Sequence, residues 1–551
     1  MSINSISEFN TNIKNSKSFV VTGLTTFLRL FLLNEIVKTE KKVLFITSTE
    51  QSALKYQSDL YSFFNKQSSI FPYQNSSMYE IIPSNIYDYS SQVNLLLNPQ
   101  DIIIVPVKTL LEKFPSKSFF IKNKLSLKIG DNISQKELLE KLTNLGYKRS
   151  TMVNDISEFS IRGDIADIYT LKENPVRIEF WGDEIVDIRF FDRETQKSIE
   201  KIKEIDILPV YKFILPEKAP KDLPKELLDK FTEERYFEGI EVYQSYFNND
   251  FETIFDYLDN YILVFDEKSE ISSKYQFIEE NYNKQIEENT KTELIYPLKD
   301  INHIPYNDFA SKIAKFPRVE FNNFIDSEFD EVLDFNAQVI KNFNANIEEI
   351  ADFIKKHAGY KIIIATDYKD RVKDILAQYD IFNVEYVGNI SANGTIIEDL
   401  KYLIITDREL FNKRNKEVTS TKRTAYKEKA EYIESINDIK EGEYVVHSVH
   451  GVGIYLGLTQ QELDGQLKDY LTIEYAQKDR LHIPAEQINL LCRYRGAGAA
   501  KPKLSRMGGS DWEKTKSKVK KEVEKVAYDL LRLYARRQMQ EGIAFDPDTS
   551  W

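Results

Sequence analysis

Short, continuous apolar runs alternate with amphipathic stretches through the first part of the chain. "KKVLFITST" (41–49) and "DIIIVPVKTLLEKF" (101–114) each hold a run of strand length with no polar interruption, the pattern of a strand buried on both faces of a parallel sheet. From about residue 129 to 210 the pattern changes to strict alternation, as in "EFSIRGDIADIYT" and "VRIEFWGDEIVDIRFFD". That period predicts antiparallel hairpins with one wet face, and Gly182-Asp183 marks a turn between two of them. A third α/β pattern follows near 330–415, with "YKIIIATD" (360–367) and "KYLIITD" (401–407) as its strands. After a charged stretch, residues 438–498 read as a compact β segment, and a capping box, Ser510-x-x-Glu513, then opens one long helix.

The stretch "VVTGLTTFLRLFLLNEIV" (20–37) has the outline of a phosphate-binding loop, a strand running into Thr22-Gly23 and then a helix. The chemistry of such a loop needs a second glycine, a lysine for the β- and γ-oxygens and a hydroxyl for magnesium. Aligned on Thr22-Gly23, those three positions fall on Thr25, Thr26 and Phe27. Further on, "YILVFDEKSE" (261–270) ends a strand in Asp266-Glu267, where a working ATPase holds magnesium and activates water. Gly23, Thr26, Phe27, Asp266 and Glu267 together make a degenerate nucleotide site, expected to be inactive. No catalytic residue and no resident metal or cofactor is expected of these residues.

In "PVRIEFWGD", alternation puts Val176, Ile178 and Phe180 on one face and Arg177, Glu179 and Trp181 on the other. If the neighbouring strands pair, Arg162 of "EFSIRGD" joins that second face. Exposed tryptophan and arginine are the residue types most enriched at interface hot spots. A cation–π pair that merely dresses the surface is the plainer alternative. The segment 438–498 reads as a small, twisted β-barrel of the SH3 or Tudor type, with glycines in "HGVGIYLG" bending a strand rather than cradling a phosphate. Its stretch "DYLTIEY" (469–475), with Tyr470, Leu471 and Ile473, is a candidate docking strand, against the alternative that these side chains are core.

The order of these stretches resembles the bacterial transcription-repair coupling factor family (Mfd), whose front module is UvrB-like. "LLEKFPSKSFF", "LLEKLTNLGYKRSTMV", "PVRIEFWGDEIVDIRFFDRETQKS" and "FEGIEVYQSYF" follow that family's succession, and "MGGSDWEKTKSKVKKEVEKVAYDLL" has the form of its connecting helix, with Met507 in place of leucine. The resemblance implies a multidomain α/β chain. Residues 1–128 and 211–310 form a degenerate helicase-type domain, with a UvrA-binding β domain at 129–210 inserted into it. A small α/β domain (330–415), a linker (416–437), a CarD-like RNA polymerase-interacting barrel (438–498) and a connecting helix (510–545) follow. It further implies that Arg162, Arg177 and Trp181, the last in place of the usual Phe, bind the excision-repair protein UvrA. Tyr470, Leu471 and Ile473 are implied to bind the RNA polymerase β subunit. ATP, magnesium and most DNA contact belong to a translocase motor of the full-length family; no ATPase motif is intact in the given residues, which read as a fragment or a truncated product.

Bulk properties narrow the picture further. At 551 residues the chain exceeds one core. A net charge of −13 excludes a surface that clings to nucleic acid all over. One cysteine, Cys492, excludes an internal disulfide and fits a reducing cytoplasm. Arg29 and Asn34 interrupt the apolar run at 20–37, so no membrane span is expected. Two other readings stay open on the sequence: a UvrB-like DNA-damage-binding ATPase, which needs a working phosphate loop, and a CarD-like transcription regulator, which uses only 438–498.

Overall fold

Strands flanked by helices on both sides have no wet face, so their side chains run mostly apolar, and alternate residues feed opposite cores. That rule organises the front of the molecule, which we describe from a computed structural model of the chain. The structure describes residues 3–73 and 85–411, except positions 173, 194, 234, 238, 294, 325–328, 330, 344–345 and 399, and then 439–447, 451–463, 466–484, 491–494, 502, 504 and 505. The linker at 416–437, the turn at 464–465 and the terminal helix at 510–545 lie outside the described residues. The chain divides into two units, Met1–Thr419 and Ser420–Trp551.

The first unit is built on a seven-stranded sheet, every neighbouring pair of which is parallel. Its strands run in the order Val332–Asp334, Phe19–Thr22, Arg318–Phe321, Tyr261–Asp266, Lys42–Thr47, Ile102–Pro106 and Ser69–Ile70. Val43, Phe45, Ile262 and Val264 enter one core, and Leu44, Ile46, Leu263 and Phe265 the other. Two of these strands lie beyond residue 310, where the sequence reading ended the domain. Their text explains the miss. Arg318 and Glu320 are buried charged residues within "RVEF", and they erase the apolar run that marks the other strands.

The second core of this domain holds His303, which has no solvent exposure and lies beside the Tyr282 ring at 5.7 Å. Burial, with Lys113 nearby, pulls its pKa from the ordinary 6.5 down to about 4. The unfolded chain therefore binds a proton below about pH 6.5 that the native state refuses until about pH 4. Stability is expected to fall as pH drops through that window, by about 3 kcal/mol at most from this group. Chemical denaturation of the wild type and of His303→Gln between pH 4 and 7 checks it. The slope should flatten in the variant; equal slopes would assign the loss to other groups.

An insertion interrupts the parallel domain. Its six-stranded sheet runs Ser198–Ile202, Glu184–Phe191, Val176–Trp181, Ile165–Ile168, Glu158–Arg162 and Lys148–Arg149, antiparallel except for the last pair. A separate ladder pairs Glu204–Ile207 with Leu125–Lys128, so the insertion closes on itself close to where it departs. Phe159, Ile168, Val176, Ile178 and Phe180 line its inner face with Leu138 and Leu142 of the helix Gln135–Asn144, which Ser134 caps through the Glu137 N–H. Gly182 supplies the positive φ of 63° at the expected hairpin turn.

Residues 337–411 form a small α/β layer. Its sheet order is Ala337–Val339, Thr395–Ile397, Tyr402–Thr406, Lys361–Ala365 and Glu385–Val387, with the last three strands mutually parallel. Ile363, Ala365, Ile397 and Ile404 share a core with Phe27, Leu30 and Leu33 of the helix Thr26–Lys38. That helix lies between two sheets and is apolar nearly all round, as a helix with no wet face must be.

The second unit contains a five-stranded antiparallel sheet, in the order Arg480–Pro484, Gln466–Glu474, Gly451–Leu463, Tyr444–His447 and Leu491–Arg493. "HGVGIYLG" runs into the long strand of this sheet, and a Cβ at Gly453 would meet Ile473 Cγ2 at 2.5 Å. The glycine is there for close approach across the sheet. No helix among the described residues is long and apolar enough to cross a membrane.

Candidate functional site

Two surfaces and one strand–loop–helix junction carry the residues singled out above. At the junction, the strand Phe19–Thr22 leads through Gly23, at φ 66°, to the helix that begins at Thr26. Thr25 caps that helix, accepting from the Leu28 N–H at 3.4 Å, and its hydroxyl meets that of Thr395 at 3.1 Å. Thr26 is exposed, while Phe27 is fully buried against Phe63 and Phe64. The loop itself is covered by the chain. The Phe335 and Ala337 N–H groups donate to the carbonyls of Thr22 and Gly23 at 3.2 and 2.8 Å. A Cβ at Gly23 would lie 2.5 Å from the backbone N of Asn336, so this glycine makes room for a neighbouring peptide.

One turn into the helix, Arg29 reaches back to the end of the strand Tyr261–Asp266. Its Nη1 donates to Asp266 and its Nη2 to Glu267, with a further bond to Asn323 Oδ1 at 3.1 Å. Tyr56, from the helix Glu50–Phe64, donates its hydroxyl to Asp266 at 3.3 Å. Burial opposes the charge on Arg29, but Tyr56, Asp266 and Glu267 around it outweigh burial and hold the guanidinium above its ordinary range. Burial, then Asp266, pushes the Tyr56 hydroxyl well above the usual phenol range, so it stays a donor. The carboxylate pair that would serve a nucleotide's magnesium therefore has a resident cation. Beside it, a hollow of about 310 Å³ is lined by Glu267, Glu270, Ser269, Asn322, Asn323 and Phe324. The sequence reading paired Gly23, Thr26, Phe27, Asp266 and Glu267 but missed Arg29, which lies in the same helix as Thr26 and Phe27.

On the insertion, strand pairing places Arg162 opposite Ile165 and Ile165 opposite Glu179, one row from Arg177 and two residues from Trp181. Arg162, Arg177 and Trp181 thus share one sheet face. Their states differ. Trp181 is 81% exposed, and Arg162 is exposed with a single bond from its Nε to Ser160 at 3.1 Å. Arg177 is held by Asp167 at 2.6 and 2.9 Å, by Gln196 at 3.1 Å, and over the Phe191 ring at 4.5 Å. Arg189, which sequence reasoning passed over, bridges Glu179 and Asp187 on the same face, and Lys201 joins Asp187 at 2.9 Å. Alternating signs along the strand "DIRFFD" were the available signal.

In the second unit the candidate docking strand is an interior one. Gln466–Glu474 pairs with Gly451–Leu463 on one side, and its Tyr470–Glu474 part pairs with Arg480–Pro484 on the other, so across Tyr470, Leu471 and Ile473 neither edge is open to a partner's strand. Leu471 and Ile473 have no solvent exposure and belong to the core, whereas Tyr470 is half-buried. Alternation marks an amphipathic strand but does not tell an interior strand from an edge. Among the described residues, the sheet's outer strands are Arg480–Pro484 and Leu491–Arg493.

Comparison with known proteins bears on these same surfaces. Residues 125–213 match the model of the UvrB interaction domain, and residues 439–495 match the CarD-like/TRCF RID domain. Along nearly its whole length the chain is similar to transcription-repair-coupling factors. The one from Staphylococcus aureus (strain bovine RF122 / ET3-1) is 28% identical over 594 residues, covering 96% of this chain and 50% of the relative. The one from Staphylococcus haemolyticus (strain JCSC1435) is 28% identical over 589 residues, covering 97% and 50%. The chain spans about half the length of the curated relatives it matches. The first matched segment starts at Leu125, the strand that closes the insertion, and includes the face that bears Arg162, Arg177 and Trp181.

Proposed function

We propose that this chain is a docking platform of transcription-coupled DNA repair. In this reading the insertion engages UvrA through Arg162, Arg177 and Trp181, and the second unit engages the β subunit of RNA polymerase. The observation that carries it is the presence of a UvrB interaction domain and a CarD-like/TRCF RID domain in one chain. The five-stranded sheet closes as an SH3- or Tudor-type barrel. Tyr470 and the outer strand Arg480–Pro484 face the polymerase, while Leu471 and Ile473 shape that surface from within. ATP, magnesium and most of the DNA contact belong, in this reading, to the motor of a full-length member. The platform works in the cytoplasm.

The Arg29 cluster supports this reading over a UvrB-like ATPase, because the acidic pair is already neutralised from within. A CarD-like regulator alone would leave the exposed face of the insertion without a use. The test is retention of purified UvrA and of the polymerase β subunit on the immobilised chain, with and without magnesium-ATP. Both are expected to be retained equally in either condition. If neither is retained, the proposal fails.

A further inference from the structure

A motor domain that loses its nucleotide faces an electrostatic problem. The acidic pair at the end of the central strand still sits in a partly buried cleft, and an uncompensated buried carboxylate is strongly destabilising. The side-chain exposures of Asp266 and Glu267 are only 13% and 24%, so solvent does not solve it. We propose that Arg29 is a built-in replacement for the nucleotide's cation, locking the first unit in one state that needs no ligand.

Four separate elements meet at this guanidinium. Arg29 comes from the helix after the loop, Asp266 and Glu267 from the end of the central strand, Tyr56 from the next helix, and Asn323 from the segment after Arg318–Phe321. In a P-loop enzyme the bound nucleotide and its metal bridge just such elements, and hydrolysis releases them. Here the bridge is covalent to the chain and cannot leave. The loop side is closed in the same manner by the peptide of residues 335–337, which takes the carbonyls of Thr22 and Gly23. A guanidinium suits the exchange because it stays charged on burial and its planar fork serves two carboxylates at once. Glu267 adopts φ 66°, a left-handed conformation at the residue just before the helix Lys268–Lys291, and its Oε2 accepts from the Asn323 N–H at 3.1 Å. Its side chain is thus turned toward Arg29 and fixed there.

The test is a thermal melt of Arg29→Ala in the full chain, with and without millimolar guanidinium chloride. The variant is expected to melt lower by about 3–6 °C. Guanidinium, binding the vacated position, should restore part of that loss in the variant and nothing in the wild type. Potassium at equal ionic strength should do neither. A variant that melts with the wild type overturns the proposal, as does a guanidinium effect equal in both proteins. Where Arg29→Ala yields no folded chain, Arg29→Met combined with Asp266→Asn and Glu267→Gln decides. Recovery of a folded chain supports a counter-charge role, and failure to recover overturns it.

Discussion

Leu471→Arg is expected to unfold the second unit's sheet, and any loss of polymerase binding in this variant would follow from that collapse. Leu471 lies with Ile439, Val445, Tyr455, Ile473, Tyr475, Ile483 and Leu491 in a core of few residues, fully shielded from water. A guanidinium there has no carboxylate among those neighbours to pair with, so its burial cost is not offset. The expected destabilisation is about 4 kcal/mol or more, the range reached when an unpaired charge enters a core. The strand has no slack to turn the side chain outward either, because at Leu471 it is paired on both edges and a one-residue slip would put every inward residue on the wet face. Limited proteolysis should cut within the strands Tyr444–His447, Gln466–Glu474 and Arg480–Pro484 in the variant and spare them in the wild type. Tyr470→Ala is the informative companion, since a half-buried tyrosine can be truncated without opening the core. It should keep the fold and report on the contact alone. A Leu471→Arg chain that resists protease like the wild type and still loses the polymerase β subunit would show that the side chain is a contact after all.

The same contrast shows what could be read from the sequence. Periodicity tells a strand from a helix and a wet face from a dry one, so the parallel sheet and the alternating insertion were legible from "KVLFIT" and "VRIEFW". Pairing partners have no local signature. Whether "DYLTIEY" lies inside a sheet or at its rim is decided by residues 480–484 folding back on it, and nothing within the stretch itself encodes that. Strands that bury charge escape for a different reason. "RVEF" earns its central place by pairing between Phe19–Thr22 and Tyr261–Asp266, not by its apolar content. Arg29 was visible all along as the charge that breaks an otherwise membrane-like run. Its meaning emerges only once Asp266, 237 residues away, is brought beside it. An arginine one turn beyond a strand–glycine–helix junction without a lysine, in a chain with an acidic pair at the end of another strand, is a pattern that sequence reading can use.

On the insertion, Trp181→Ala and Arg162→Glu are each expected to weaken the proposed UvrA contact by about 2 kcal/mol or more, roughly 30-fold in Kd. The expectation rests on how differently the three residues of that face are held. Trp181 presents its ring to solvent at the end of the strand, beside a hairpin turn with open space around Gly182, so it contributes little to the fold and is free to fill a partner's pocket. Arg162 has one bond, to a hydroxyl, which leaves its fork available for a carboxylate. Arg177 is already engaged by Asp167, Gln196 and Phe191, and its removal strands Asp167 without a counter-charge. Arg177→Ala should therefore lower the stability of the insertion as well as the affinity, and the two losses can be separated. Titration calorimetry against UvrA, paired with a thermal melt of each variant, makes the distinction: Trp181→Ala and Arg162→Glu should keep the wild-type melt, and Arg177→Ala should not. Raising the salt should shrink the Arg162 effect and leave the Trp181 effect nearly intact, because only the former is a solvent-screened charge. Wild-type affinity in Trp181→Ala would remove the aromatic anchor from the interface and with it the assignment of this face.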